Sequence, residues 1–523
     1  MQADQSGTPL ETDDRMPGPK PLFWVAKNGY EEVVRMLLKH SELNLKANLE
    51  AVDEYGKTPL CAAVEHGHTG IVRMLVERSS ASLNTIDGIF SQPPLSWAVI
   101  NEQVDIVEIL LQQNHLDPNI ANRDGRTPLS LATEGGLEEV VTLLLQRDDI
   151  DPDRVDEDGR APLSWAAESG SVCVVRMLLE NSDASLGDVD KWELTPLDWA
   201  AKYGHNGVVK VLLEQLDVSP HKVDGYGQTP LSRAAQNGHG TVVTTLLQRS
   251  DIHPDTPDKY EHTPLSVAAL MGHEEVVRIL LEREDVNPNS AGASGRTPLS
   301  FAAQWGHEGV MRRLLGRNDT NPSLADTEFG RTPLLWAAWE QRVGAVRILL
   351  DQNCVNPEAA DRCGETPLCW AARNGDKATV RIPLERANVN PNLAGENGQT
   401  PLLQAARKGR KGVVRLLLAR DDVDPNITSK DGQTPLSSAA RNGNEDVVRM
   451  LLERDNLNLD TTDNYGQTPA SWAAKNMHDG ILKLLCDRTD SASEYAAWLQ
   501  QEEPNSPKPS ESSEPPAKRI RRF

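Results

Sequence analysis

The sequence predicts an all-α solenoid of about 14 helix-turn-helix units, and three observations carry that prediction. A proline recurs in one context at Pro21, Pro59, Pro94, Pro128, Pro162, Pro196, Pro230, Pro264, Pro298, Pro333, Pro367, Pro401, Pro435 and Pro469, at intervals of 38, 35 and then mostly 34 residues. Self-similarity at such a period marks stacked repeats rather than separate globular domains. Behind each proline the apolar residues fall at offsets of three and four, the spacing of one helix face. Finally, the 523 residues are 38% apolar and only 4% aromatic, lean for several large cores and suited to a core shared between thin neighbours.

The elements follow in order from Gly432 to Asp455, GQTPLSSAARNGNEDVVRMLLERD. Thr434 is the N-cap and Pro435 the first helical residue, where a missing N–H costs nothing. Leu436, Ala439 and Ala440 share a face, and alanine lets a neighbouring helix approach closely. Gly443 stops this first helix, since glycine takes the left-handed cap without a Cβ penalty. Val447, Val448, Leu451 and Leu452 form the stripe of a second helix. A loop, with Asn456 here and worded DDVDPN elsewhere, leads to a turn with glycine three residues before the next proline. Helices of two to three turns are marginal alone in water, so each repeat is expected to stand only when stacked.

These residues give the chain its resemblance to the ankyrin-repeat family, from about residue 17 to about residue 488. The family's T-P-L-H-x-A core stands here mostly with serine for histidine, as in TPLSWAA. The Gly-His pair that follows the first helix in the family is present at Gly67-His68, Gly204-His205, Gly238-His239, Gly272-His273 and Gly306-His307. The TPLSWAA wording and the DDVDPN loop resemble a repeat variant of fungal ankyrin proteins. The resemblance implies an elongated, curved stack whose concave side, lined by first helices and turn tips, grips other proteins. At roughly 8–10 Å between packed helices, it would be a rod well over about 100 Å long.

Composition narrows the function classes. A net charge of −23 repels polyanions at long range, so nucleic acid and anionic membrane are disfavoured unless a local basic patch exists. The N-terminal MQADQSGTPLETDD lacks the basic and apolar regions of a secretory signal, and no run reaches the ~18 apolar residues of a membrane span. A soluble, intracellular protein is expected. The six cysteines (Cys61, Cys173, Cys354, Cys363, Cys369, Cys486) are too scattered for a disulfide scaffold, which suits a reducing compartment. Cys354, Cys363 and Cys369 lie near one another without a CxxC pair or a nearby histidine to complete a zinc set.

No constellation of catalysis stands out: the phosphate-loop, HExxH, GxSxG and kinase signatures are missing from the sequence. No catalytic, cofactor or metal residue is assigned, and a non-enzymatic scaffold is expected. His68, His205, His239, His273 and His307 occupy one repeated position, read as a framework hydrogen bond. His66 and His68 flank Gly67 but lack a third metal ligand. The acidic loops, such as residues 148–153, lack the twelve-residue calcium pattern and read as solvated linkers.

Aligned copies separate framework from site: what most repeats retain serves stacking, and what varies is free for recognition. By offset from the repeat proline, 18 of the 23 aromatic residues fall at three places. Seven sit four before it (Tyr55, Phe90, Trp192, Tyr226, Tyr260, Phe329, Tyr465) and eight three after it (Trp24, Trp97, Trp165, Trp199, Phe301, Trp336, Trp370, Trp472); Tyr203, Trp305 and Trp339 sit six or seven after it. Offsets three, six and seven share one face, nearly opposite the core. The recurrent tryptophan reads either as packing against the adjacent turn tip or as a recognition ladder.

The variable offsets six and seven change along the chain. Early repeats offer Glu65, Glu134 and Glu168; repeats 8 to 10 offer Leu270, Met271, Trp305 and Trp339; repeats 11 to 14 offer Arg373, Arg407, Lys408, Arg441 and Lys475, with RKGRK at 407–411. In RTPLLWAAWEQR, Trp336 holds the recurrent position and Trp339 the variable one, a candidate anchor for a partner; its alternative is space-filling between repeats. Gln341 replaces the capping glycine, suggesting an altered helix end. The expected partner is a protein presenting an apolar segment to repeats 8–10 and an acidic one to repeats 11–14, with candidate contacts Leu270, Met271, Trp305, Trp336, Trp339, Arg373, Arg407, Lys408, Arg441 and Lys475. Pro383, inside the second helix of repeat 11, reads as a soft joint or as a kink absorbed near the helix end.

The organisation expected around the solenoid (17–488) is a disordered polar lead at 1–16, a capping helix at 489–502, a disordered Pro/Ser/Glu linker at 503–515 and a basic tail at 516–523. Lys518, Arg519, Arg521 and Arg522 resemble a nuclear-import signal, read by an acidic groove of the import carrier; nuclear residence is expected, cytoplasmic otherwise. The alternatives to an adapter are the recognition subunit of an enzyme complex and a nucleic-acid-associated regulator using the basic stripe and tail.

Overall fold

The computed structural model describes residues 21–40, 49–78, 81–88, 91–181, 186–386 and 389–488. The expected lead, capping helix, linker and basic tail lie outside them, as does Phe90. Among the described residues there are 28 α-helices, one 3-10 turn and no strand. They fall into two compact bodies, divided between Thr327 and Glu328. The first holds the helix pairs of repeats 1 to 9, from Pro21–Lys27 with Glu31–His40 to Pro298–Trp305 with Glu308–Leu315. The second holds repeats 10 to 14, from Pro333–Trp339 with Val343–Leu350 to Pro469–Lys475 with Asp479–Cys486. Within each body every first helix packs on the first helix of the next repeat and on its own second helix, the array expected of an all-α ankyrin solenoid of about 14 units.

The caps are the ones the wording predicts. Thr58, Thr127, Thr263 and Thr434 each accept, through the hydroxyl, the backbone N–H three residues on, with proline as the first helical residue. The paired alanines and the Val-Val-x-x-Leu stripe form the core: Ala439, Ala440, Val448 and Leu451 are fully buried. At the turn tips a backbone ladder links successive repeats, as in Lys191 N–H to Asp158 carbonyl (2.9 Å) in the first body and Arg362 N–H to Phe329 carbonyl (2.8 Å) in the second.

The histidine framework has a definite geometry. Nε2 of His205, His239, His273 and His307 lies 2.7, 2.9, 2.9 and 3.1 Å from the carbonyl at offset six of the preceding repeat, and that of His68 lies 3.0 Å from Lys27. A carbonyl can only accept, so each ring donates. The glycine of the preceding cap makes room for the ring: a Cβ on Gly204 would stand 2.5 Å from His239.

Two local expectations are resolved. Gln341 leaves the helix end unaltered, because it adopts the left-handed conformation itself (φ 59°). Its Cβ is tolerated where repeat 11 carries Asp376 instead of histidine at offset nine. Pro383 is buried and penultimate in the continuous helix Lys377–Leu384, so the missing N–H falls in the last turn and the helix is not broken.

The acidic loops are framework as much as solvated linker. Arg147, Arg249, Arg283, Arg317 and Arg420 each fork onto the aspartate two residues on (Asp149, Asp251, Asp285, Asp319, Asp422) at 2.6–3.0 Å. Hydrogen bonds to these guanidinium groups hold the five carboxyls below the usual aspartate range. Asparagines bridge the loops: Asn392 donates to the Asp422 carbonyl (2.6 Å) and accepts from Asp424 N–H (2.9 Å).

Candidate functional site

In five repeats the tryptophan at offset three is anchored within its own repeat. An aspartate in the turn accepts the indole N–H: Trp97 to Asp87 (2.8 Å), Trp165 to Asp156 (3.0 Å), Trp199 to Asp190 (2.9 Å), Trp370 to Asp361 (2.9 Å) and Trp472 to Asp463 (2.7 Å). In four of these turns the other oxygen of the aspartate caps two backbone N–H groups, as Asp361 does for Cys363 and Glu365 (both 3.0 Å). What reaches across from the preceding repeat is the side chain two before its proline. Lys57 lies over Trp97 (4.7 Å), Arg126 over Trp165 (3.8 Å), Arg160 over Trp199 (4.0 Å) and Arg331 over Trp370 (5.3 Å), the geometry of cation–π attraction.

That cation also decides the fate of offset six. Lys57 pairs with Glu65 (2.8 Å), Arg126 with Glu134 (2.7 Å) and Arg160 with Glu168, so the early glutamates are neutralised within their own repeats. In repeat 10 the same arginine, Arg331, stacks on Trp339 at 3.7 Å and lies 3.7 Å from Asp361. Trp339 meets Trp370 with ring centroids 4.1 Å apart. Trp339 is therefore half-buried, filling space between repeats 10 and 11, and Trp336 is 6% exposed, which leaves it to the framework. In the first body Met271 and Trp305 are about half exposed (50% and 51%), and Leu270 is intermediate.

From repeat 11 onward the polarity reverses. The residue two before the proline is Glu365, Gln399, Gln433 and Gln467, and offset six is Arg373, Arg407, Arg441 and Lys475. Only Glu365 brings a charge against its cation. Arg407, Lys408, Arg441 and Lys475 are exposed. Arg441 and Lys475 lie over Trp472 at 4.3 and 5.1 Å. Of the other two basic residues in RKGRK, Arg410 donates to the Arg373 carbonyl (3.2 Å) and Lys411 pairs with Asp446.

Sequence reasoning missed Asp198, the third helical residue of repeat 6, where most repeats carry serine. It is buried, its Oδ2 accepts from Thr195 N–H (2.9 Å) and hydroxyl (2.6 Å), and burial pushes its carboxyl from 3.8 up to about 7 against the pull of those bonds. Among the described residues no three His, Cys, Asp or Glu side chains are placed to hold a metal ion, and no helix is long and apolar enough to cross a membrane.

Stacked helix pairs with a periodic framework and a variable first-helix face define a repeat protein of the binding type. The family model for ankyrin repeats (3 copies) matches the chain at residues 6–87, 81–156, 148–220, 180–258, 197–291, 284–361, 352–428 and 421–494, and the chain belongs to that family. Ankyrin repeats are general protein–protein interaction modules, and proteins built from them are typically non-enzymatic scaffolds. No curated protein matches the chain.

Proposed function

We propose that the chain is a non-enzymatic adapter whose second body takes up an acidic segment of a partner protein along repeats 11 to 14. One observation supports this above the others. Offset six carries carboxylates neutralised by Lys57, Arg126 and Arg160 in repeats 2, 4 and 5 of the first body, but carries Arg407, Arg441 and Lys475 opposite neutral glutamines in repeats 12 to 14 of the second. Unneutralised exposed charge of one sign steers encounter and selects complementary partners, an effect that salt weakens. Trp339 stacks on Arg331 and Trp370 beside this stripe and contributes its remaining surface. In the first body Leu270, Met271 and Trp305 form a separate contact for an apolar segment. Reversing Arg407, Lys408 and Arg441 to glutamate and, separately, changing Trp339 to alanine tests the reading by affinity capture from cell extract. Capture of the same partners by both variants removes it. The tail residues Lys518, Arg519, Arg521 and Arg522 serve nuclear import; a fluorescent fusion held in the cytoplasm with the tail intact contradicts that.

A further inference from the structure

Repeat 12 departs from the framework at both ends of the aspartate–tryptophan bond. Six residues before Pro401 stands Gly395 in place of the aspartate, and three after it Gln404 replaces the tryptophan. The residue that should reach across from repeat 11 as a stacking cation is Glu365. With indole, carboxylate and cation all exchanged, a cavity of about 220 Å³ opens, lined by Glu365, Arg373, Gln399, Gln404, Arg407 and Lys408, with Asn397 at its side. That is the share of about seven waters at roughly 30 Å³ each, room for one side chain.

Its chemistry selects the occupant. On the floor Gln404 (3% exposed) donates to Glu365 Oε1 at 3.3 Å, and Glu365 is itself 6% exposed. At the rim Arg407 and Lys408 are exposed, and among the described residues their side chains make no hydrogen bond or ion pair. Arg373 completes three cations around one carboxyl group. All seven lining side chains are polar, so an apolar group would strand them, and a cation would meet three like charges. A carboxylate answers the rim with charge-assisted hydrogen bonds, while the amides of Gln399 and Asn397 offer further donors. A phosphate dianion would carry twice the charge against Glu365.

We propose that this cavity seats one aspartate or glutamate side chain of the partner's acidic segment, which rests on the reading that such a segment lies along repeats 11 to 14. The probe is a fluorescein-labelled peptide of glutamates spaced by glycine and serine, titrated by fluorescence anisotropy with the full chain, beside its glutamine and phosphoserine counterparts. Gln404→Trp fills the cavity without changing any charge, and its indole N–H has Glu365 as acceptor; it should weaken the glutamate peptide about tenfold, or ~1.4 kcal/mol. Arg407→Gln with Lys408→Gln should weaken it as much, whereas Arg441→Gln with Lys475→Gln, the same charge removed outside the cavity, should cost about two- to threefold. If Gln404→Trp does not fold by circular dichroism, the two double variants decide alone, since all four of their residues are exposed. Loss confined to the Arg441 and Lys475 pair sinks the cavity and leaves the acidic-segment reading standing. Parent-like binding by every variant sinks both, and a phosphoserine peptide that binds more tightly than the glutamate one overturns the choice of carboxylate.

Discussion

The two bodies are built from one repeat and differ in how each repeat balances its charge. In repeats 2, 4 and 5 of the first, a cation two before the proline meets a glutamate at offset six and covers the indole of the next repeat, as Arg160 does with Glu168 and Trp199. In repeats 11 to 14 of the second, glutamate or glutamine stands in the cation's place, and the positive charge moves to offset six, where it faces solvent at Arg407 and Arg441. The same two positions therefore serve stacking in repeats 2, 4 and 5 and leave a charged surface in repeats 12 to 14. A residue's place in the repeat does not fix its role; the pairing of two places does.

The largest expected effect concerns a carboxyl that the first body leaves unbalanced. Because the folded protein raises Asp198 to about 7 from 3.8, its neutral form is the one that folding favours. Its contribution is fully retained at low pH and is lost as pH climbs from about 4 to about 7. Asp198→Ser, which supplies the hydroxyl found at Ser164 and Ser232, should leave stability at pH 4 nearly unchanged and raise it at pH 8 by up to about 4 kcal/mol. Urea titrations at the two pH values measure this, and an equal effect at both would show that Asp198 is not held neutral.

Next comes the contrast itself. Arg160 is 4% exposed, so Arg160→Ala strands Glu168 and uncovers two indoles, with an expected loss of about 3 kcal/mol. The exposed Arg407→Ala in the second body should stay within about 0.5 kcal/mol of the parent. Equal losses in urea midpoints would erase the distinction between the bodies. Transplanting the first body's arrangement (Gln399→Arg with Arg407→Glu, and Gln433→Arg with Arg441→Glu) should keep the thermal midpoint while weakening an acidic peptide about 100-fold, or ~2.7 kcal/mol. The smallest effect is Gln341→Gly, which relieves a left-handed glutamine (φ 59°) and should add about 0.5–1 kcal/mol to stability.

Much of this was legible along the chain because it is local. Thr434 and Pro435 cap and start a helix ahead of an apolar helical stripe, the Val447–Leu452 stripe must be buried, and the recurrence of His205 and its counterparts marks a framework bond before any acceptor is known. The site was legible in part. Arg407, Lys408, Arg441 and Lys475 stand exposed as the stripe requires, whereas Trp339, whose offset predicts an accessible ring, is stacked between Arg331 and Trp370. The glutamates at offset six looked like a surface and are ion-paired, and the cavity of repeat 12 gave only the signal that Gly395 and Gln404 interrupt an aspartate–tryptophan pair whose bond was not yet visible.

By itself, then, the sequence determined the helices, their caps and buried faces, since each depends on residues within about one turn of one another, and the recurrence of that local pattern determined the period and hence the family. The tertiary structure alone decided which variable side chains remain free. Partners such as Arg331 and Trp370 stand a whole repeat apart, and only stacking brings their charges and rings into contact.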